Sequence, residues 1–248
     1  MWIQTHDKYV TKVLDMLSMT NCNVSTSPKL NEAHMEDDME IIDLPCEAAT
    51  LFRTAVCTLM YAYASKRKPE IQSTIRWLCK RLKSPTWRSW RQLVKLARYM
   101  KGSKNLATFF PRSGEVTQIT GFLDAYWACD DIDRQSVSGG IAMVAGCRMH
   151  SHSRGTGDRA LSSSESEIMS ASEMLKECLL LQYNLQFAGF GLIPIVLHTD
   201  ATVCRQFVHR TGVGRMKHLD ERYCWLQGRW RRGHTRWRKF PVSTIRAT

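Results

Sequence analysis

The order of elements in the second half of the chain constrains its fold more than any other feature. From about Glu115 the texture is that of strands. "TQITGFLDAYWA" is an apolar-rich run with one acid, Asp124, in its middle. "VSGGIAMVAGCRMHSHS" reads as a second strand, a tight turn at Ala145–Gly146, and a third strand. "LSSSESEIM" then opens a run in which Ile168, Ala171, Leu175, Cys178, Leu179 and Leu185 recur at helical spacing, which predicts a helix from about Ser164 to Phe187. "IPIVLHTDA" is a short buried strand, Ile193 to Thr199, ending in Asp200. A helix follows, "GVGRMKHLDERYCWLQGRW" reads as another, and "HTRWRKFPV" as a last strand. The order β-β-β-α-β-α-α-β predicts an α/β unit, a sheet flanked by helices.

The first half is different. "HDKYVTKVLDMLSM" places Tyr9, Val10, Val13, Leu14 and Leu17 at helical spacing and is ended by "TNCNVSTSP". Residues 32–47, "EAHMEDDMEIIDLPCE", hold seven acids and no Lys or Arg, the pattern of a solvated linker. From Ala48 to about Lys104 the pattern is mostly helical, with breaks at "SKRKPE" and "KSPT". The helix "WRSWRQLVKLARYM" interleaves Arg88, Arg91, Lys95 and Arg98 with Trp87, Trp90, Leu93, Val94 and Tyr99. Cations among aromatics suit phosphates and stacked bases. A helix with one core face and one basic solvent face has the same pattern.

Composition narrows the class. The chain has 248 residues, enough for one large domain or two small ones, and no internal repeat. Lys and Arg number 35 against 23 Asp and Glu, a formal charge of +12, which favours a polyanionic partner such as nucleic acid. The basic tail "RWRRGHTRWRK", with Arg229, Arg231 and Arg232, fits the same partner; an edge strand guarded by charge would look alike. No apolar stretch approaches the roughly 18 residues of a membrane span, and "MWIQTHDKYV" lacks a signal-peptide layout. The nine cysteines are scattered, with no C-x-x-C pair, which suggests reduced thiols rather than disulfides or zinc. The expected location is cytoplasmic or nuclear, not secreted.

Three acids stand where acids are costly: Asp124 inside a strand, Glu167 at the start of the long helix, and Asp200 at the end of a buried strand. Convergence of the three at one sheet edge would make an all-oxygen site suited to Mg²⁺ or Mn²⁺. The local pattern also has a plainer reading. Ser-x-x-Glu before an apolar run is a capping box, and both Ser162/Glu165 and Ser164/Glu167 fit it.

Seven motifs in order carry a family resemblance. "HDKYVTKVLDMLSMTNCNVSTSP", "FRTAVCTLMYAYASKRKPEI", "LVKLARYMKGS", "GFLDAYWACDDIDRQSVSGG", "ALSSSESEIMSASEMLKE", "LHTDATV" and "GRMKHLDERYCWLQ" resemble successive motifs of copia-type retrotransposon Pol polyproteins, from the end of the reverse transcriptase into the ribonuclease H domain. For example, "ALSSSESEIMSASEMLKE" is similar to the family pattern "ALSSTEAEYMALSEAAKE".

The resemblance implies a ribonuclease H-like mixed sheet with flanking helices. It implies residues 1–31 as a thumb remnant, 32–47 as an acidic linker, 48–114 as a helical connection segment, and 115–248 as a ribonuclease H-like domain truncated at its C-terminus. It implies catalytic and metal-binding roles for Asp124, Glu167 and Asp200. It selects Glu167 because "EIMSA" matches the family's catalytic setting. Residues two apart on a helix point about 200° apart, so Glu165 keeps the capping role. Two Mg²⁺ ions, or Mn²⁺, roughly 3.5–4 Å apart would serve hydrolysis of the RNA strand of an RNA–DNA hybrid. Arg88, Arg91, Lys95, Arg98, Arg215, Lys217, Arg229, Arg231 and Arg232 are the candidate nucleic-acid contacts.

The chain also departs from the family pattern. Tyr126 and Ala201 replace a second Asp and an Asn, and Asp220 matches an acid read as structural or substrate-side. "FPVSTIRAT" aligns so that Thr248 stands at the fourth catalytic Asp, with the final helix missing. No polymerase motif is present, so no polymerase activity is expected, and an upstream palm would belong to a longer polyprotein. A virus-like particle is then the expected cytoplasmic setting. A catalytically decayed remnant that still binds nucleic acid is the alternative.

Overall fold

The structure is a computed structural model that describes residues 1–4, 8–30, 42–64, 68–111, 115–130, 132–214, 219 and 221–239. The chain divides into two units, Met1–Phe109 and Phe110–Thr248.

In the first unit, β1 (Trp2–Gln4) pairs antiparallel with β2 (Ala107–Phe109), a small sheet that the sequence pattern did not announce. Between them come α1 (Lys8–Met16), α2 (Cys46–Ala64), a 3₁₀ turn (Pro69–Ile71), α3 (Gln72–Cys79) and α4 (Trp87–Ser103). Val10, Val13 and Leu14 share one core with Phe52, Val56, Leu59, Ile75, Leu78, Leu93, Leu96 and Met100. The segments expected as 1–31 and 48–114 therefore contribute to a single core. Thr86 starts α4 with a reciprocal cap: its hydroxyl accepts from Ser89 N and its own N–H donates to Ser89 Oγ, each at 3.4 Å.

The second unit holds β3 (Ile119–Tyr126), β4 (Val137–Val144), β5 (Cys147–Gly155), α5 (Ser163–Phe187), β6 (Ile195–His198), α6 (Thr202–His209), a 3₁₀ turn (Glu221–Tyr223), α7 (Trp225–Arg231) and β7 (Thr235–Arg238). The sheet order is β5-β4-β3-β6-β7, with β3 antiparallel to β4 and parallel to β6, and β6 parallel to β7. This is the ribonuclease H-like mixed sheet that the family resemblance implies. Ala145 (φ 50°) and Gly146 (φ 74°) make the β4–β5 hairpin turn. Two successive positive φ values match the twist of the flanking strands. The expected helix over Ser164–Phe187 is α5, lying on the sheet through Ile168, Ala171, Met174, Leu175 and Cys178 against Ile119, Leu123, Ala142, Ile195 and Leu197.

Gly121, in the middle of β3, allows that helix to approach. A Cβ there would lie 2.6 Å from Leu197 Cδ2, 3.0 Å from Cys178 Sγ and 3.3 Å from Met174 Cγ. All three neighbours are fully buried, so none can swing into solvent. Gly121→Ala is expected to overpack the core and cost about 1–3 kcal/mol, read as a lower denaturant midpoint at unchanged m-value.

Candidate metal centre

The sheet register brings two of the three acids level. Phe122 on β3 is opposite His198 on the parallel strand β6. Asp124 lies two residues past Phe122 and Asp200 two past His198, so both acids stand at the C-terminal ends of adjacent parallel strands. Glu167 lies in the N-terminal part of α5, and the Ser170 hydroxyl, one turn on, donates to the Asp124 carbonyl oxygen at 2.9 Å. One carboxylate oxygen from each of Asp124, Glu167 and Asp200 lies within 4.8 Å of the others.

The two glutamates of "SSSESE" take different roles. Ser162 is the N-cap of α5 and accepts from Glu165 N at 3.2 Å. Glu165 reaches back and its Oε2 accepts from Leu161 N at 2.6 Å. That is capping-box chemistry displaced by one residue, since the box ordinarily closes on the N-cap's own N–H. Ser164 and Glu167 lie within the helix, so the second capping fit is not used.

The centre is electrostatically incomplete. Burial, and then the negative charges of Asp124 and Asp200, push the Glu167 carboxyl up to about 7. Burial and Asp200 also raise Asp124, against the N–H that Ala125 donates to Asp124 Oδ1 at 2.9 Å. Glu167 Oε2 is buried and has no hydrogen-bond partner among the described residues. Three hard oxygen donors, mutually repulsive and with one orphaned oxygen, fit a divalent cation of the Mg²⁺ or Mn²⁺ kind. Tyr126 is 70% exposed, and Ala201 is the α6 N-cap without a side-chain cap. Neither supplies a fourth carboxylate.

The candidate nucleic-acid residues fall on both units. On α4, Arg91 and Arg98 are exposed while Arg88 and Lys95 are half-buried, and the Arg88 guanidinium lies 5.8 Å from the Trp77 ring centre. On α7, Arg229 is half-buried and Arg231 is exposed, as is Arg232 just past the helix. Arg231 is partly committed: its Nη2 donates to Arg210 O at 3.0 Å and Thr211 Oγ1 at 2.6 Å. Arg215, Lys217, Asp220 and the stretch 240–248 with Thr248 lie outside the described residues. The basic tail includes β7, which is indeed an edge strand of the sheet.

Sequence reasoning passed over a groove of about 510 Å³ between α6 and β7, lined by Thr202, Arg205, Gln206, His209, Arg210 and Trp237, with no acid among them. The only hint was the spacing of Arg205 and His209 along one helix face.

Comparison with known proteins follows the same lines. No family model matches. The chain is 26% identical over 231 residues, 92% of its length, to the retrovirus-related Pol polyprotein from transposon TNT 1-94 of Nicotiana tabacum, and spans 17% of that relative's length. It is 29% identical over 126 residues, 51% of its length, to the secreted RxLR effector protein 161 of Plasmopara viticola, covering 87% of that protein. Among solved structures, LC11-RNase H1 isolated from compost matches 52% of this chain and 87% of its own, at 11% identity and a TM-score of 0.41. The same enzyme in complex with an RNA/DNA hybrid matches 51% and 88%, at 14% identity and a TM-score of 0.34. The chain is thus similar along 92% of its length to a transposon Pol polyprotein, and its second unit carries a ribonuclease H-like mixed sheet.

Proposed function

We propose that the second unit is a metal-dependent endoribonuclease acting on the RNA strand of RNA–DNA hybrids. The observation that carries this reading is the meeting of Asp124, Glu167 and Asp200 within 4.8 Å at the ends of two parallel strands and one helix. These three residues would hold the cation, Glu167 through its unpartnered Oε2. A bound divalent cation supplies charge stabilisation for phosphodiester hydrolysis at neutral pH. The reaction breaks the P–O3′ bond and adds water across it.

The chain's own residues do the rest. The main-chain N–H of Ala125 holds Asp124 Oδ1 in place, and the Ser162–Glu165 cap starts the helix that presents Glu167. With its pKa near 7, the Glu167 carboxyl carries a proton part of the time around neutral pH, and its ionised form is the one that would hold a cation. The acid-free groove lined by Arg205, His209 and Arg210, and the basic residues of α7 and β7, would receive phosphates. Phosphate contacts of this kind give affinity without sequence preference.

The test is cleavage of a labelled RNA–DNA hybrid by the purified chain in Mg²⁺ and in Mn²⁺. Cleavage confined to the RNA strand and abolished by EDTA supports the reading. Absence of cleavage with salt-sensitive binding retained points instead to a decayed binding remnant. In the same binding assay, Arg232→Gln is expected to weaken affinity equally for all sequences and to flatten the log K against log salt slope by about 1.

A further inference from the structure

Glu167 and Ser170 stand three residues apart on α5 and therefore share one of its faces. Glu167 gives its carboxylate to the acid cluster, while the fully buried Ser170 donates its hydroxyl proton to the Asp124 carbonyl oxygen at 2.9 Å. Behind it, Ser138 Oγ on β4 lies 2.8 Å from Ser170 Oγ, and His152 Nε2 on β5 lies 3.4 Å from Ser138 Oγ. All three side chains are buried.

The bond directions follow from counting protons. A carbonyl oxygen can only accept, so Ser170's single hydroxyl proton is committed to Asp124. Ser138 must then donate to Ser170, which leaves Ser138 Oγ to accept from His152. That requires the Nε2–H tautomer. A neutral ring of this tautomer carries no proton on Nδ1, and Nδ1 is the His152 nitrogen without a hydrogen-bond partner among the described residues. The ring is neutral because burial, then the Arg154 guanidinium and the neighbouring His150, hold its pKa down to about 4 against the carboxylates of Glu177 and Glu173.

We propose that Ser170, backed by Ser138 and the Nε2–H tautomer of His152, is a positioning residue that sets the separation of Asp124 from Glu167. The proposal rests on the metal centre proposed above. Apolar packing holds α5 on the sheet but is non-directional and tolerates small slides along the helix axis. A hydrogen bond between the helix and the Asp124 main chain does not, and a run of hydroxyls donating in one sense strengthens each link. Metal ligands need placement to within about 0.5 Å. The quoted copia-type pattern "ALSSTEAEYMALSEAAKE" has Ala where this chain has Ser170, so that pattern does not supply this hydroxyl.

Two measurements on the full chain test it. Long-range ¹H–¹⁵N NMR of the metal-free protein should show the Nε2–H tautomer at His152. Calorimetric titration with Mn²⁺ should show Ser170→Ala binding about 10-fold more weakly than the wild type, the scale of loss when a partner of a metal ligand is removed. Ser172→Ala is the control. Ser172 is buried on the same helix and its hydroxyl accepts from Trp225 Nε1 at 3.1 Å, with no link to Asp124. It should lower thermal stability but leave the dissociation constant unchanged. An Nδ1–H tautomer, or Ser170→Ala binding as tightly as the wild type, overturns the positioning role while the metal centre stands. A wild-type chain that binds no Mn²⁺ overturns both, since Ser170 would then have no ligand set to position.

Discussion

Glu167→Gln is expected to lower hybrid cleavage by at least about 100-fold, while Glu165→Gln keeps it near the wild-type rate. Changing a residue that merely supports a metal ligand already costs about 10–100-fold, so losing the ligand itself should cost no less. Glutamine keeps the size of Glu167 but removes the charge that the cation needs, and leaves the partnerless Oε2 position a neutral amide. Glu165 is elsewhere in the same turn, closing the helix start through Leu161 N. Its loss should appear as about 1 kcal/mol of stability, the usual scale of a cap. Asp200→Asn should behave as Glu167→Gln does, because Asp200 is the second strand-borne member of the cluster. Single-turnover cleavage by all three variants, with melting temperatures measured in parallel, separates the roles. Equal loss in both glutamate variants would sink the assignment.

The second large effect is on stability against pH. In the metal-free protein the Glu167 carboxyl is raised from 4.5 to about 7, so between those values the folded state keeps a proton that the unfolded state has lost. The folded state binds more protons there, and stability must fall as pH rises from about 4.5 to about 7. Asp124, also raised, contributes in the same direction. For a half-buried site screened by solvent, the fall should be about 1–2 kcal/mol. A divalent cation should reverse the trend, because it competes with the proton for the same oxygens and binds best when they are ionised. At 100 times its dissociation constant it adds about 2.7 kcal/mol. Urea denaturation between pH 4.5 and 8, with and without Mg²⁺, measures both slopes. In Glu167→Gln the metal-free slope should be flatter and the Mg²⁺ gain much reduced. A wild-type stability independent of pH and Mg²⁺ would contradict the electrostatics described for this cluster.

Much of this architecture was legible before any coordinates. An apolar-rich run marked β3, a tight turn between two strand-like runs marked β4 and β5, and the apolar repeat from Ile168 to Leu185 marked α5 nearly to its ends. These are local properties, set by which face of an element must leave water, and a sequence states them directly. The small β1–β2 sheet was not legible. Its strands are only three residues each and lie at opposite ends of the first unit, so no local period could reveal their pairing.

The acids divide in the same way. The sequence by itself determined that Asp124, Glu167 and Asp200 sit at positions where a lone carboxylate is costly, and that a serine–glutamate cap would start the helix. Sequence pattern alone left Glu165 and Glu167 as rival caps, and only the resemblance favoured Glu167 for the site. What only the tertiary structure decided is that the three carboxylates meet. That depends on β6 returning parallel to β3 in the register Phe122–His198, and on a hydroxyl of α5 bonded to the Asp124 backbone. The buried Ser138–Ser170–His152 series likewise joins two strands and a helix far apart in sequence. Parallel pairing and helix docking are fixed by contacts between distant segments, and no property of either segment taken alone carries them.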